Sequence, residues 1–589
     1  MGTIGRWVLP LDGAALPDRA LVGSKARGIA VMRHAGLPVP PAFVMTTEAC
    51  RAYLAGGELP EGLPDELYAG IAMLEAETGR RFGAPERPLL LAVRSGAAVS
   101  MPGMLDTVLN LGIDAEIEAA LARESGDADF ARDTHRRFHE MYARIVLRAG
   151  IDGLQPEGTV EAWRAAVAES GATGSVPAAP ADQLLGAVRA VFESWNGRRA
   201  RRYRAHHGLS DDAGTAVTLQ AMVFGNLGRR SGTGVLFSRN PLSGVPEPYG
   251  EYLARAQGED VVSGQRTPQG LDALASSLPA AHAALTQAAR RLEALNRDVQ
   301  DIEFSVQEGA LYLLQTRTAA RAPAAAIRIA VDLVNEGTIS TGEAVARVSA
   351  AQVRTLLMPR LADGAAEAAT VLAEGEGASP GIGIGRAVLE ADEAEARGEA
   401  GEDVVLVRPT TSPEDVHGMV AARAVVTETG GATSHAAVVS RSLGVPCVVG
   451  CGAGVGAALA GREVTVDGTA GQVFDGALPV RAPEETDDPH LRRIADWARA
   501  AAPIAVYRTG ERAPEGALDL DRTPGGEDAG RLPALLQGAR GASGGALASD
   551  AGVAAAVAAD LEFIIVRQAL PALLAACAAA RAEHTEPAA

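Results

Sequence analysis

The stretch Gly430-Gly431-Ala432-Thr433-Ser434-His435-Ala436-Ala437-Val438-Val439 sets a histidine on a glycine-backed turn directly before a helix. The apolar run Ala424-Val425-Val426 reads as the strand that delivers the chain into this turn, and the two glycines let the backbone bend and a bulky ligand approach. Thr433 or Ser434 suits the N-cap of a helix over 436–443, which Gly444 and Pro446 terminate. His435 then lies in the first turn. Unpaired backbone N–H groups and the positive end of the helix dipole favour a neutral, nucleophilic imidazole there and stabilise an incoming phosphoryl dianion. Taken alone, a capped helix with a surface histidine is the commoner arrangement.

The flanks change that balance. Val404-Val405-Leu406-Val407-Arg408-Pro409 and Thr411-Ser412-Pro413-Glu414-Asp415 precede the turn, and Pro446-Cys447-Val448-Val449-Gly450-Cys451 follows it. In this order the run resembles the phosphohistidine segment of the pyruvate, phosphate dikinases, PEP-utilising enzymes that carry phosphate on a mobile histidine domain. The resemblance implies that His435 is the catalytic residue. It also makes Thr433 a candidate regulatory phosphorylation site, although an N-cap explains that threonine equally well.

Composition bounds the rest. A chain of 589 residues predicts three to five domains, and 47% hydrophobic with 22% charged residues is ordinary for a soluble globular protein. The net charge of −19 argues against nucleic-acid or anionic-membrane partners, because such binding is driven by Lys and Arg. Any polyphosphate site must therefore be a local cationic focus. Cys50, Cys447, Cys451 and Cys577 are too few and scattered for a disulfide framework, and Cys447 with Cys451 lacks the second pair a zinc site needs. Residues 1–6 have no signal-peptide core and no run approaches the ~20 apolar residues of a membrane span, so the expected location is the cytoplasm.

Four blocks are expected. Residues 1–318 mix strand-like and long helical runs. A helical linker follows over 319–378, its end, 362–378, reading as an Ala/Gly/Glu-rich flexible joint. Residues 379–480 form a compact α/β block. The tail, 481–589, holds a helical segment around Trp497, a Pro/Gly-rich stretch and an alanine-rich helix.

The first block carries the nucleotide signals. Val22-Gly23-Ser24-Lys25-Ala26 resembles the family's glycine-lysine turn, with Ser24 and Ala26 where glycines are usual. Val93-Arg94-Ser95-Gly96-Ala97, followed by Ser100-Met101-Pro102-Gly103-Met104-Leu105-Asp106-Thr107, can fold over a triphosphate while Arg94 supplies a bidentate charge. Met222 to Pro241 and Gly250 to Pro268 also look like the dikinase rather than its PEP synthase and glucan dikinase relatives. Asp301-Ile302-Glu303-Phe304 and Leu311-Tyr312-Leu313-Leu314-Gln315-Thr316-Arg317 alternate like strands around a hairpin turn at 307–310. Asp301 and Glu303 then share a face, as do Gln315 and Arg317, placing oxygens for Mg²⁺ beside a guanidinium for a phosphate.

The resemblance implies an ATP-grasp nucleotide-binding domain and a swivelling β/α phosphohistidine domain joined by helical linkers. ATP would be held by Lys25, Arg94, Gly103, Met104, Thr107, Asp301, Glu303, Gln315 and Arg317, with Glu303 and Gln315 on Mg²⁺. His435 would attack the β-phosphorus, and inorganic phosphate would remove the outer phosphoryl as pyrophosphate. The joints near 362–378 and 481–490 would contain the hinge. The family ends in a PEP/pyruvate-binding barrel of about 250 residues, whereas 109 residues follow position 480 here and, beyond Leu491 to Ala498, none resembles it. Three readings stay open: a phosphotransferase serving pyruvate/PEP on a separate barrel protein, one whose tail binds another small acceptor, and a non-catalytic nucleotide-binding relic. The resemblance also allows a homodimer.

Overall fold

The computed structural model describes residues 5–585, apart from Ser100, 102–104, Asp152, 263–265, 358–359, Asp363 and Ala482. The first block is built on two five-stranded sheets. One runs in the order Val8–Pro10, Ala42–Met45, Ala216–Ala221, Leu91–Gly96, Thr107–Leu111, every neighbour antiparallel. The other runs Gln269–Gly270, Tyr249–Ala254, Gly232–Phe237, Gln300–Gln307, Ala310–Thr318, again antiparallel throughout. The helix Arg19–His34 packs against strands of both sheets and so ties them together. Its Gly23 has φ +77°, and a Cβ there would lie 2.2 Å from the Gly96 carbonyl oxygen, so only glycine permits this approach.

The expected linker helices are present as Pro323–Asn335 and Thr341–Arg347, joined by Ala350–Leu356. Ser340 with Glu343, and Ser349 with Gln352, form reciprocal capping boxes that fix where the last two begin.

Two boundaries differ from expectation. The stretch read as a flexible joint contains the strands Val371–Glu374 and Glu376–Ser379. They are the two edge strands of an eight-stranded sheet whose centre, Ile382–Val388, Val404–Arg408, Ala424–Thr427, Cys447–Val449, is parallel. Backbone pairing with Gln472–Asp475 and Cys447–Val449 recruits them despite their weak composition. What connects this block to the rest is a short antiparallel ribbon, Arg360–Leu361 against Val480–Arg481.

The tail also holds more order than expected. Ala505–Arg508, Ala517–Asp519, Gly541–Ser543 and Phe563–Val566 form a four-stranded parallel sheet. Its helices Pro489–Ala501 and Ala569–Thr585 share one apolar core with the linker helices, through residues such as Ile494, Leu573, Ile329 and Val353. Among the described residues no helix is long and apolar enough to cross a membrane.

Candidate active site

The hairpin Gln300–Gln307/Ala310–Thr318 turns at Glu308 and Gly309, both at positive φ as a two-residue hairpin turn requires. Its register sets Asp301 opposite Arg317 and Glu303 opposite Gln315, so the four predicted side chains share one face. Arg317 Nε donates to Asp301 Oδ2 at 2.7 Å, while Asp301 Oδ1 is buried without a hydrogen-bond partner. Arg94 reaches across from the other sheet. Its Nη2 donates to Glu303 Oε2 at 2.8 Å and Gln315 Oε1 at 3.1 Å, and its Nη1 to the Leu314 carbonyl at 3.2 Å.

These contacts set the charge states. Burial first, then the Arg94 guanidinium, push the Lys25 ammonium down to about 7, against the pull of Glu303. Burial raises both carboxyls, but with opposite outcomes. Arg94 and Arg317 outweigh it at Glu303, which is held below the usual carboxylate range, whereas Asp301 ends above it in spite of Arg317. Thr107 lies opposite Arg94 in register, at the start of its strand. Gly103 and Met104, expected over the phosphates, lie outside the described residues.

The oxygens here fit a hard divalent cation. The orphaned Asp301 Oδ1 and the facing Glu303 and Gln315 are the donor types Mg²⁺ takes, and Mg²⁺ typically uses one or two carboxylates and completes its shell with substrate phosphates and water. No group of three or more His, Cys, Asp or Glu suited to a metal by themselves occurs among the described residues.

His435 opens the helix His435–Leu443, which Gly444 closes in the left-handed conformation. Ser434 is the N-cap, its hydroxyl accepting from the Ala437 N–H. Thr411, in the loop after Val404–Arg408, meets His435 Nδ1 at 3.2 Å, and Nε2 is buried with no partner. Burial, partly offset by Asp415, pulls the imidazole down to about 4, so it is neutral at physiological pH. A tautomer carrying its proton on Nδ1 donates to Thr411 Oγ1 and leaves the Nε2 lone pair free.

Thr433 does not cap the helix. Its hydroxyl donates to the Glu251 carboxylate on Tyr249–Ala254, which corrects the N-cap alternative. Burial raises the Glu251 pKa, and the Thr433 hydrogen bond opposes the rise. Gly431 belongs to the same contact, since a Cβ there would lie 2.5 Å from Glu251 Oε1. Glu376 joins both sides, accepting from Tyr249 OH at 2.8 Å and from the Ala432 N–H at 3.0 Å. Arg441, buried, donates to the Ala432 and Ala378 carbonyls at 2.7 and 2.8 Å and lies over Phe237. Thr411, Glu251, Glu376 and Arg441 were not singled out from sequence. Only Thr411 and Glu251 lay in motifs quoted for resemblance, and neither carried a signal of its role.

A cleft of about 1340 Å³ opens between the blocks, with Lys25, Gln315 and Arg317 on one side and Pro413, Glu414 and Val438, neighbours of His435, on the other.

The third block matches, over residues 400–471, the family model of the PEP-utilising enzyme mobile domain. Residues 59–284 match the pyruvate phosphate dikinase AMP/ATP-binding domain. The chain is 40% identical to pyruvate, phosphate dikinase of Clostridium symbiosum over 551 residues, covering 88% of this chain and 63% of the relative. It is 42% identical to the enzyme of that name from Rhizobium meliloti, covering 85% and 60%, and 42% to pyruvate, phosphate dikinase 2 of Oryza sativa, covering 82% and 58%. The chain thus spans about 60% of the length of the curated relatives it matches.

Proposed function

We propose that this chain is an ATP-dependent phosphotransferase of the pyruvate, phosphate dikinase kind, in which the first block is an ATP-grasp domain and residues 371–478 a swivelling phosphohistidine domain. The observation that carries this reading is the shared cleft, where a neutral histidine with a bare Nε2 belongs to the block facing Lys25, Gln315 and Arg317. ATP phosphates are bound by Lys25, Arg94 and Arg317. Asp301, Glu303 and Gln315 hold Mg²⁺, which when bound neutralises charge on the phosphate oxygens. His435 Nε2 forms a bond to the β-phosphorus, the bond from that phosphorus to the α–β bridging oxygen breaks, and AMP leaves with the electron pair. Thr411 keeps the proton on Nδ1 and fixes the ring. Inorganic phosphate then takes the outer phosphoryl as pyrophosphate, and phospho-His435 serves a distant acceptor, pyruvate by the relatives' name.

One imidazole serving two sites needs a moving domain. The ribbon Arg360–Leu361/Val480–Arg481 is the natural joint, being the narrow place where both chain connections run together.

Incubation of the protein with Mg²⁺ and β-labelled ATP tests this reading. Acid-labile, base-stable label is expected on the protein with one AMP released per label. Nucleotide binding without any protein-bound label would leave the relic reading in its place.

Lys25 adds a pH signature. With its pKa near 7 in the free protein, Lys25 is mostly neutral above that pH, and bound phosphates favour its charged form. ATP binding at pH 8 should therefore take up close to one proton, and affinity should fall as pH rises from 7 to 9. Calorimetry in buffers of different ionisation heat reads the uptake, which Lys25→Met should abolish.

A further inference from the structure

The three residues ahead of His435 are tied down one by one. Ser434 accepts from the Ala437 N–H as N-cap, and the Thr433 hydroxyl donates to Glu251. Ala432 is held at both of its backbone groups, its N–H donating to Glu376 at 3.0 Å and its carbonyl accepting from Arg441 Nη2 at 2.7 Å. Arg441 lies on the helix that His435 opens, and its Nη1 donates at 2.8 Å to the carbonyl of Ala378, on the same edge strand as Glu376. Helix, edge strand and turn thus close into one frame around Ala432.

Not all of these ties can travel with the histidine. Glu251 belongs to the first block, and Glu376 shares its carboxylate with Tyr249 there. Arg441, Ala378 and Ala432 all belong to the block that carries His435. The guanidinium is an expensive choice for this place. It is 3% exposed, its Nε has no hydrogen-bond partner, and no carboxylate lies within ion-pair distance among the described residues. For the fold alone, a neutral side chain of similar size would cost less. Burial pulls its pKa below the ordinary arginine value, and the fields that oppose this include those of Asp301 and Glu251, both in the first block. It lies 6.0 Å from the ring centre of Phe237, the register partner of Asp301. What arginine offers is a rigid planar fork that reaches two carbonyls on different elements at once, which the single ammonium of lysine does not match.

We infer that Arg441 is a positioning residue for the charging of His435: by holding the Ala432 carbonyl to the edge strand, it keeps the turn ahead of His435 in the shape that phosphoryl transfer to the imidazole needs. The inference rests on the function proposed above. The hydrogen bonds of Arg441 go neither to His435 nor to any of the proposed nucleotide ligands. A side chain that acts only by aiming the nucleophile changes the rate of transfer and leaves nucleotide binding alone, since misplacing an attacking atom by about 1 Å costs on the order of 10²-fold in rate.

Full-length Arg441→Met and Arg441→Lys are compared with the wild type in two assays: charging of His435 from β-labelled ATP and Mg²⁺, and equilibrium binding of α,β-methylene-ATP, whose bridge resists the transfer. Charging at saturating ATP should slow about 100-fold in Arg441→Met, with the Kd for the analogue within twofold of wild type. Arg441→Lys keeps the charge and one carbonyl contact, so it should charge at least tenfold faster than Arg441→Met and still more slowly than wild type. Circular dichroism at the assay temperature shows which variants are folded. If Arg441→Met is not, Arg441→Lys decides, with charging expected at least threefold below wild type at unchanged affinity for the analogue. Charging of a folded Arg441→Met within threefold of wild type, equal slowing by methionine and lysine, or analogue affinity falling in step with the rate overturns the inference. Failure of the wild type itself to become charged would instead remove the underlying function.

Discussion

His435→Asn protein should acquire no acid-labile label from β-labelled ATP, a loss of at least about 10⁴-fold that leaves the fold intact. Asparagine is tolerated in the first turn of a capped helix and can still hydrogen-bond Thr411, so the Ser434 cap and the helix His435–Leu443 should persist. What disappears is a buried imidazole nitrogen that has no hydrogen-bond partner, on a ring that burial keeps neutral. Retention of label at wild-type level would move the nucleophile elsewhere. A fall in melting temperature of more than a few degrees would show that the ring supports structure as well.

The second large effect is expected at Arg94. Its guanidinium joins the strand Leu91–Gly96 of one sheet to Glu303 and Gln315 of the other, so Arg94→Met removes a proposed phosphate ligand and leaves Glu303 without its closest counter-charge. Breaking a largely buried ion pair from one side typically costs about 3–5 kcal/mol, and loss of a preorganised cation at developing phosphoryl charge costs roughly 10³ in rate. Both should appear, as a lowered unfolding midpoint and as slow charging of His435. Adding Glu303→Gln should restore much of the stability and none of the rate, because the orphaned charge is then gone while the ligand is still missing. If the double variant is no more stable than the single one, Arg94 acts mainly through the Leu314 carbonyl and packing.

Local patterning made part of this molecule legible. The hairpin over 300–318 could be read because two alternating runs flank a Glu-Gly turn, and its register brought together the side chains that strand geometry required. The His435 helix was legible for a similar reason, with its cap, first turn and glycine stop all lying within the eleven residues from Ser434 to Gly444. The tail's strands were not. Ala517–Asp519 and Gly541–Ser543 are three residues each, poor in β-branched side chains, and become strands only by pairing in parallel beside Phe563–Val566. The edge strands Val371–Glu374 and Glu376–Ser379 failed the same way, since Ala, Gly and Glu give no alternation to read.

By itself, then, the sequence determined the candidate histidine, its helix, and the identities of the cations and carboxylates on the hairpin and at Arg94, since each depends on neighbours within one element. Only the tertiary structure decided which partner each would meet. Thr433 finds Glu251 across 182 residues, and Arg94 finds Glu303 across 209. The physical reason is that burial and charge pairing are set by what the fold brings within a few ångströms. The same carboxylate pattern therefore yields one group held ionised and another pushed towards its neutral form, a difference no linear spacing encodes.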